Sequence, residues 1–383
     1  MKISLVVSDL SEGGTLRAFL LAQVLKSLNH TVEIVGFIYG KEIITKPPSG
    51  INIISVPGKN YPGFLSSAKD LLQKLDGDII YVCKPKPRSF GIGLLKKISS
   101  KRPLFLDIDD WELSWHGGYE FRYRPSLKQL YRDIFKQNGA LKFPDHPLYV
   151  QWMEKLVSMA DVVTVDTQFL QQRFGGIYLP NGKDTDMFNP DKYDSTVSKE
   201  LYGLSEYRVL MFPGAPRPHK GVEDVLVALD KLNQPDLKLV IVGSNPYDDY
   251  DKKLIEKWGN KIIKLSKFPV ETMPEVLTAA DVVVVPQRKN YTTLAQFPLK
   301  LTDGMAMGKP VLSTKVGDIP EILGDTGYLV EPDSPDEIAE QIKLIFDNLE
   351  SAKEKGRKAR QRAVQLYSVE AMKPILESAI SRV

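Results

Sequence analysis

Three side chains with complementary chemistry stand close together in the segment 294–314. Pro298, Lys300 and Asp303 fall within one predicted helix start. Proline suits a first helical turn because the N–H it lacks would have no partner there. The free amides from Phe297 to Leu299 and the charge of Lys300 suit an anion, whereas Asp303, one turn later, suits the hydroxyls of a ribose. The pattern predicts a nucleotide-like ligand; a solvated Asp303 paired with Lys300 is the alternative.

A second loop combines cations with glycines. An apolar run ends at Gly214, and Arg217, His219 and Lys220 follow before a new helical pattern begins after Gly221. Cations at a strand's carboxyl end, next to a helix N-terminus, favour a diphosphate. A solvated basic loop is the alternative. Of the two interpretations, we favour the anion site.

A glycine pair follows the first apolar run of the chain. Gly13 and Gly14 precede a helix predicted from about Leu16. Because glycine has no side chain, such a loop lets backbone amides approach a phosphate or a sugar closely. A plain strand–helix turn explains an isolated Gly-Gly equally well.

Composition bounds the class of protein. The chain has 383 residues, 43% hydrophobic and 26% charged, which is typical of a globular protein with two domains. The single cysteine, Cys83, excludes a disulfide framework and favours a reducing compartment, so we expect a cytoplasmic protein. The net charge is +3 overall and +5 over residues 1–190, which suits an anionic partner or membrane surface but is too weak for nucleic-acid binding.

The elements that must position these residues are predicted from short apolar runs. The runs that predict strands are 3–8, 31–37, 78–82, 103–108, 161–166, 207–214, 237–243, 261–266, 281–286 and 309–314. They alternate with helical patterns and are rich in Val and Ile, as in buried parallel strands. The pattern predicts an α/β fold of two doubly wound domains, 1–190 and 205–365, with a polar linker at 189–206. The last helix, about 366–383, is predicted to pack back on the first domain.

In this order, several segments resemble one family. They are "GGTLRAFLLAQVLKSLNHTVEIV" (13–35), "ADVVTVDTQFLQQRF" (160–174), "LPNGKDTDMFNP" (179–190), "GAPRPHKGVEDVL" (214–226), "LVIVGSNP" (239–246), "MPEVLTAADVVVVP" (273–286), "MAMGKPVLSTKVGDIPEIL" (305–323) and "GYLVEPDSPDEIAEQI" (327–342). The chain resembles the family 4 glycosyltransferases, which are retaining nucleotide-sugar enzymes. The resemblance implies the GT-B architecture, in which two Rossmann-like domains face a central cleft, with the acceptor on the N-terminal domain and the donor on the C-terminal domain.

The resemblance also implies roles for single residues. Residues implied to bind the nucleotide-sugar donor are Gly13, Gly14, Gly214, Arg217, Lys220, Ser244, Phe268, Phe297, Pro298, Leu299, Lys300 and Asp303. Lys220 matches the diphosphate-binding lysine, Ser244 and Phe268 would lie at the base, and Asp303 would hold the ribose. We favour a UDP-sugar over a GDP-sugar, with no required cofactor and no metal, since the four histidines are scattered.

The chain departs from the family pattern at three positions. Ala215 stands where an arginine is usual, so Arg217 would substitute for it. Ala295 replaces the first of two glutamates, and Asp109 stands at the place of a histidine beside the sugar. Asp109 and its neighbour Asp110 would accept hydrogen bonds from sugar hydroxyls, or would cap the next helix. His116 is close enough in sequence to join them. We therefore predict the catalytic residues to be Asp109, Asp110, His116, Arg217 and Lys220.

The implied reaction transfers a sugar to a hydroxyl with retention, in polysaccharide or glycolipid biosynthesis. For the acceptor, the segment 117–152 is rich in aromatic and basic residues. Such segments stack on sugars or contact anionic lipid headgroups, so we expect a glycan or lipid-linked acceptor and a peripheral contact with the inner membrane face. An ordinary helix pair covering the sheet is the alternative. Two other functions remain open, a non-catalytic nucleotide-sugar sensor and a nucleotide-sugar epimerase.

Overall fold

The structure is a computed structural model that describes residues 1–12, 15–43, 47–244 and 248–383. The chain forms two compact units. Unit 1 comprises Met1–Asn181, Ala295–Phe297 and Met372–Val383, and unit 2 comprises Gly182–Leu294 and Pro298–Ala371. The chain therefore passes from unit 1 to unit 2 after Asn181, earlier than residue 190, and its last residues return to unit 1.

Unit 1 alternates strands and helices along the chain. Its elements are β1 (Lys2–Val7), α1 (Leu16–Ser27), β2 (Thr31–Ile38), β3 (Asn52–Pro57), α2 (Phe64–Lys74), β4 (Ile79–Cys83), α3 (Ile92–Ser100), β5 (Leu104–Ile108), α4 (Leu127–Phe135), α5 (Pro147–Glu154), β6 (Val162–Val165), α6 (Gln168–Phe174) and β7 (Ile177–Tyr178). In the described residues these strands form one parallel sheet in the order β3-β2-β1-β4-β5-β6-β7. The strand order reverses between β1 and β4, and that reversal point is where such sheets bind ligands.

Unit 2 repeats the same plan. Its elements are α7 (Ser195–Leu201), β8 (Arg208–Phe212), α8 (Val222–Leu232), β9 (Leu237–Val242), α9 (Tyr250–Trp258), β10 (Ile262–Leu265), α10 (Met273–Thr278), β11 (Val282–Val285), α11 (Tyr291–Leu294), α12 (Leu299–Ala306), β12 (Val311–Thr314), α13 (Ile319–Leu323), β13 (Tyr328–Val330), α14 (Pro335–Asp347), α15 (Leu349–Leu366) and α16 (Val369–Ile380), which continues into unit 1. The described strands form a parallel sheet in the order β10-β9-β8-β11-β12-β13, so its reversal point lies between β8 and β11.

Each unit has its own apolar core because its central strands bury both faces. In unit 1 the side chains of β4 and β5 are buried along their whole length, and in unit 2 the same is true of β11. Helices cover both faces of such a strand, which requires apolar residues in succession rather than in alternation. The predicted α/β class, with two doubly wound domains, is therefore confirmed.

The predicted linker 189–206 is partly helical. Asp194 caps α7, accepting hydrogen bonds from the amides of Thr196 at 2.8 Å and Val197 at 3.0 Å. The cap substitutes for the apolar periodicity that the segment lacks. The predicted linker 189–206 therefore contains the helix α7, which belongs to unit 2.

Candidate active site

In unit 2, the loop after β8 meets the start of α12. A Cβ atom added to Gly214 would lie 2.3 Å from Cε of Lys300, so the lysine stem runs directly against the glycine backbone. A larger residue at this position would require the lysine side chain to shift. The Lys300 ammonium lies 5.5 Å from the ring centroid of Phe212, and burial lowers its pKa. The two segments singled out from the sequence, 212–229 and 294–314, are therefore brought together.

The charges of three cations act on His219 in this loop. Burial lowers the pKa of His219 to about 4, and the charges of Lys220, Arg217 and Lys300 contribute to the shift. The imidazole is therefore neutral at physiological pH. The part of the shift that is due to the three charges indicates a positive potential at the imidazole. A positive potential at the carboxyl end of β8, next to the reversal point of the sheet, suits an anionic ligand.

The cationic loop is held by contacts to the next strand. Gly221 has φ +67°, and a Cβ added there would lie 1.7 Å from the Pro286 carbonyl oxygen, so no larger residue fits. Arg288 donates its backbone N–H to the carbonyl of His219 at 3.1 Å. Its guanidinium donates to both carboxylate oxygens of Asp224 at 3.0 and 2.7 Å. Arg288, which sequence reasoning missed, thereby fixes the loop against the start of α8.

The helix α12 begins one residue after Pro298, and its first amides point out of its N-terminal end. Asp303 lies one turn further along. It forms an ion pair with Lys183, and the two side chains are 16% and 14% exposed. Lys183 is itself held by a backbone hydrogen bond from its N–H to the carbonyl of Tyr367 at 2.7 Å. The sequence predicted Lys300 as the partner of a non-functional Asp303, whereas the structure places Lys183 there.

The other predicted donor residues occupy varied positions. Ser244 is exposed and follows β9, and the preceding Gly243 lies next to the backbone of Gly214 and Ala215. Phe268 packs against the ring of Tyr202, with 5.6 Å between centroids.

The chain passes from unit 1 to unit 2 between Phe297 and Pro298, within the segment predicted to bind the donor. Phe297 clusters with unit 1, while Pro298, Leu299 and Lys300 belong to unit 2. Phe297 is buried, and Leu299 is exposed at the first position of α12. The predicted phosphate-binding residues Gly13 and Gly14 lie outside the described residues.

In unit 1, Asp109 and Asp110 follow β5 directly. Burial raises the pKa of both carboxyl groups, and the charge of Lys84 opposes the shift. Asp110 accepts hydrogen bonds from the indole N–H of Trp115 at 3.2 Å and from Gln296 at 3.4 Å. One oxygen of each aspartate is buried without a hydrogen-bond partner among the described residues. Neither side chain caps the next helical turn, at residues 112–116, which favours the alternative of binding to hydroxyls.

Sequence reasoning missed a cluster of charges beside these aspartates. Lys84, which has φ +71°, and Lys86 follow β4, and each donates to Glu112 at 2.8 Å. Burial would raise the pKa of Glu112, but the two lysines outweigh it and lower this pKa to about 2. The signal was the "CKPKPR" run at the carboxyl end of a buried strand. The cluster occupies the reversal point of the unit 1 sheet, beside β1.

Two buried arginines tie the loops of unit 1 together. Arg17 donates to both carboxylate oxygens of Asp107 at 3.0 Å, with both side chains almost fully buried. Arg88 bridges Asp145 at 2.6 Å and Asp9 at 3.3 Å. Such pairs must be complete, since an unpaired charge in their place would be costly. They fix the strand ends on which Lys84, Asp109 and their neighbours stand.

Two further sequence expectations concern single residues. His116 is exposed, with its ring centroid 6.3 Å from that of Phe121, and no described contact joins it to Asp109 or Asp110. Ala295, which replaces the usual glutamate, is fully buried in the core of unit 1. A glutamate there would be surrounded by apolar side chains.

The described residues show neither a metal-binding cluster nor a membrane-spanning helix. Within the described ranges, no group of three or more His, Cys, Asp or Glu side chains is arranged to hold a metal ion. Of the helices in those ranges, none combines the length and the apolar composition needed to cross a bilayer.

Comparison with known proteins identifies the class of protein. Residues 197–362 match the family model of glycosyl transferases group 1. N-acetyl-alpha-D-glucosaminyl L-malate synthase of Bacillus anthracis is 28% identical over 312 residues, which cover 80% of this chain and 74% of that protein. A GDP-mannose-dependent alpha-(1-6)-phosphatidylinositol monomannoside mannosyltransferase of Mycolicibacterium smegmatis is 29% identical over 206 residues, which cover 50% of this chain and 54% of that protein.

Solved structures agree on the fold. The crystal structure of Anabaena HepE in complex with UDP and glucose has a TM-score of 0.75 and 20% identity, and each chain covers 100% of the other. The two sheets are accordingly those of the GT-B fold. The match over residues 197–362 and the named relatives show that the chain is a glycosyltransferase, and that segment is similar to the glycosyl transferases of group 1.

Proposed function

We propose that the chain is a retaining glycosyltransferase of family 4 that uses a nucleoside diphosphate sugar. One observation carries the proposal: the charges of Arg217, Lys220 and Lys300 all act on His219 in the loop after β8, and Lys300, in the first turn of α12, lies against Gly214 of that loop. A diphosphate matches both features, because its charges pair with the cations and its oxygens accept hydrogen bonds from the helix amides.

The same groups would supply the catalysis. The bond between the anomeric carbon and the diphosphate oxygen breaks, and negative charge develops on that oxygen. Arg217, Lys220 and the amides of Leu299 and Lys300 would stabilise this charge without reorganising, which is where most of the rate enhancement arises in such sites. The acceptor oxygen forms its bond to the anomeric carbon on the face that the diphosphate leaves, and its proton passes to the leaving phosphate. No side-chain base is then needed.

In unit 1, Asp109 and Asp110 would bind sugar hydroxyls rather than act as nucleophiles. Each carboxyl has a buried oxygen without a hydrogen-bond partner among the described residues. Hydroxyl groups satisfy such oxygens without adding charge. We assign His116 a lesser part, because it is exposed and the described contacts do not connect it to the aspartates.

For the donor we favour a UDP-sugar, with Ser244 and Phe268 near the base and Asp303 at the ribose. The HepE complex contains UDP and glucose, whereas the Mycolicibacterium relative is named for GDP-mannose, so both bases must be tested. We propose an acceptor hydroxyl on a glycan or lipid-linked glycan, in polysaccharide or glycolipid biosynthesis at the cytoplasmic side of the membrane.

The first experiment is calorimetric titration with UDP-, GDP- and ADP-sugars, followed by assays of sugar release and of product anomer by NMR. We expect one donor to bind, slow hydrolysis without acceptor, and an α-configured product from an α-linked donor. Lys220→Ala should abolish binding, whereas Lys252→Ala, at an exposed cation of the same unit, should not. A β-configured product would refute retention.

Two other outcomes favour the alternatives. Binding without turnover, even with candidate acceptors, would indicate a nucleotide-sugar sensor. Release of an epimerised sugar without any glycoside product would indicate an epimerase. Absence of binding to every donor would overturn the proposed diphosphate site.

A further inference from the structure

The helix α4 turns an apolar stripe towards solvent. Leu127 is 88% exposed, Tyr131 62% and Phe135 65%, and Ile134 is also exposed. These positions recur at the spacing of one helical face. A helix that covers a sheet buries such a face, so the sequence alternative of an ordinary covering helix does not describe α4.

The least exposed residues of α4 are Asp133 and Leu130, which do not belong to the apolar stripe. Asp133 is the one buried residue of the helix, and it accepts a hydrogen bond from the hydroxyl of Tyr123 at 2.8 Å. The helix is further held at its end, where a Cβ added to Gly139 would lie 2.3 Å from the Asp133 carbonyl oxygen. Polar contacts therefore fix α4 in an orientation that exposes its apolar stripe. A normal surface helix buries its apolar stripe, whereas α4 leaves this stripe exposed to solvent.

Cations flank the exposed stripe. The exposed basic residues of the region are Arg122, Arg124, Lys128, Arg132 and Lys136. Of the three acidic residues in 117–152, Asp133 and Asp145 are buried, and Glu120 is exposed. The surface around α4 is therefore strongly positive as well as apolar.

An apolar groove continues the stripe. It has a volume of about 630 Å³, and Ile134 of α4 lines it together with Tyr61, Pro62, Leu141, Trp152 and Met153. Trp152 is exposed at its edge. A groove of this size and lining accommodates part of a hydrocarbon chain.

We propose that α4 and the adjoining groove dock unit 1 on an anionic lipid bilayer. This proposal deepens the proposed function, on which it rests for the lipid-linked acceptor. The apolar stripe would enter the boundary between headgroups and acyl chains, and the flanking cations would contact anionic headgroups. The groove would take a segment of one lipid chain that leaves the bilayer.

Charge complementarity favours a bilayer over a protein partner. The cations lie along the whole segment from Arg122 to Lys136, so they match a surface of uniform negative charge better than a single acidic peptide. The stripe also carries Tyr131 and Phe135 in mutual contact, with ring centroids 5.0 Å apart. Aromatic residues on such a helix are typical of insertion at the lipid interface.

The test is flotation of the full chain with vesicles of phosphatidylcholine, alone or mixed with phosphatidylglycerol. We expect binding to the mixed vesicles and weaker binding as salt is raised. The variant Tyr131→Ser/Phe135→Ser should lower the partition coefficient at least about tenfold, because burying a large apolar side chain contributes that much. Replacing Lys128, Arg132 and Lys136 with glutamine should abolish the preference for anionic lipid.

A matched control distinguishes docking through α4 from non-specific adsorption to the vesicles. Leu65 in α2 of the same unit is 65% exposed, like Phe135, so Leu65→Ser should leave flotation unchanged. Nucleotide affinity should be the same in all these variants, so loss of flotation with intact UDP binding is independent of the donor site. If the wild-type chain does not float, or if Phe135→Ser instead disrupts a dimer or a protein complex, the bilayer proposal is overturned.

Discussion

The ion pair between Asp303 and Lys183 allows the ribose assignment to be tested sharply. Asp303→Ala removes the carboxylate that would accept hydrogen bonds from the ribose hydroxyls. Hydrogen bonds to a charged group contribute about 1–3 kcal/mol, so the dissociation constant for UDP should rise about 5- to 150-fold. Isothermal titration with UDP measures this directly.

The same pair supplies the control. Lys183→Met breaks the identical ion pair, in which the two side chains are 14% and 16% exposed, but it leaves the carboxylate in place. Both variants should therefore lose comparable stability in urea denaturation, whereas Lys183→Met should keep UDP affinity within about threefold of the wild type. The lysine competes with the ribose for Asp303, so its removal frees an acceptor for the ligand.

Two results would refute this reasoning. If Asp303→Ala binds UDP as well as the wild type does, the carboxylate does not hold the ribose. If both variants lose affinity equally, the ion pair acts through the shape of the site, and Asp303 has no direct contact with the nucleotide. Asp303→Asn, which keeps an acceptor oxygen without the charge, should lie between the wild type and Asp303→Ala.

Three further predictions concern the loop and the core. Gly214→Ala should displace the Lys300 side chain, whose Cε would lie 2.3 Å from the new Cβ, and weaken UDP binding about tenfold or more. The φ of +158° at this position disfavours a side chain, so the melting temperature should also fall. The unfolding free energy should fall as pH drops from 6.5 towards 4, because His219 binds a proton in the unfolded chain but not in the folded protein, where its pKa is about 4. The variant His219→Asn should reduce this pH dependence, measured by urea denaturation at several pH values. An unchanged pH dependence would exclude His219 as its source. Arg17→Met should cost about 3–5 kcal/mol in urea denaturation by leaving Asp107 buried and unpaired, and Arg17→Met/Asp107→Asn should recover part of the loss if the pair is the cause.

The central strands could be predicted from the sequence because they carry apolar residues on both faces. Every run predicted as a strand overlaps one, as 281–286 overlaps β11. Three strands were missed, β3, β7 and β13, and all three belong to the edge regions of their sheets. β3 has one buried residue among its six, so it lacks the continuous apolar run by which its neighbours are identified.

The parts of the candidate site whose residues stand close together in sequence could be predicted. The cations of the Gly214–Gly221 loop and the start of α12 could be read from short segments. The pair between Lys183 and Asp303 and the cluster of Lys84 with Glu112 could not, because sheet order and chain return bring those partners together. Sequence spacing predicts neighbours along one helix, and it placed Lys300 beside Asp303 for that reason.

The charges at the two reversal points differ between the units. This difference supports separate binding roles for the two units, for which the sequence offered only the family resemblance. In unit 1, Lys84 and Lys86 are already neutralised by Glu112 and the neighbouring aspartates, so an added diphosphate would gain little. In unit 2, burial lowers the pKa of His219, and the charges of Lys220, Arg217 and Lys300 add to the shift, so these cations contribute a positive potential at the imidazole. We therefore expect a diphosphate to bind in unit 2, whereas the buried carboxylate oxygens of unit 1 suit a ligand that presents hydroxyl groups.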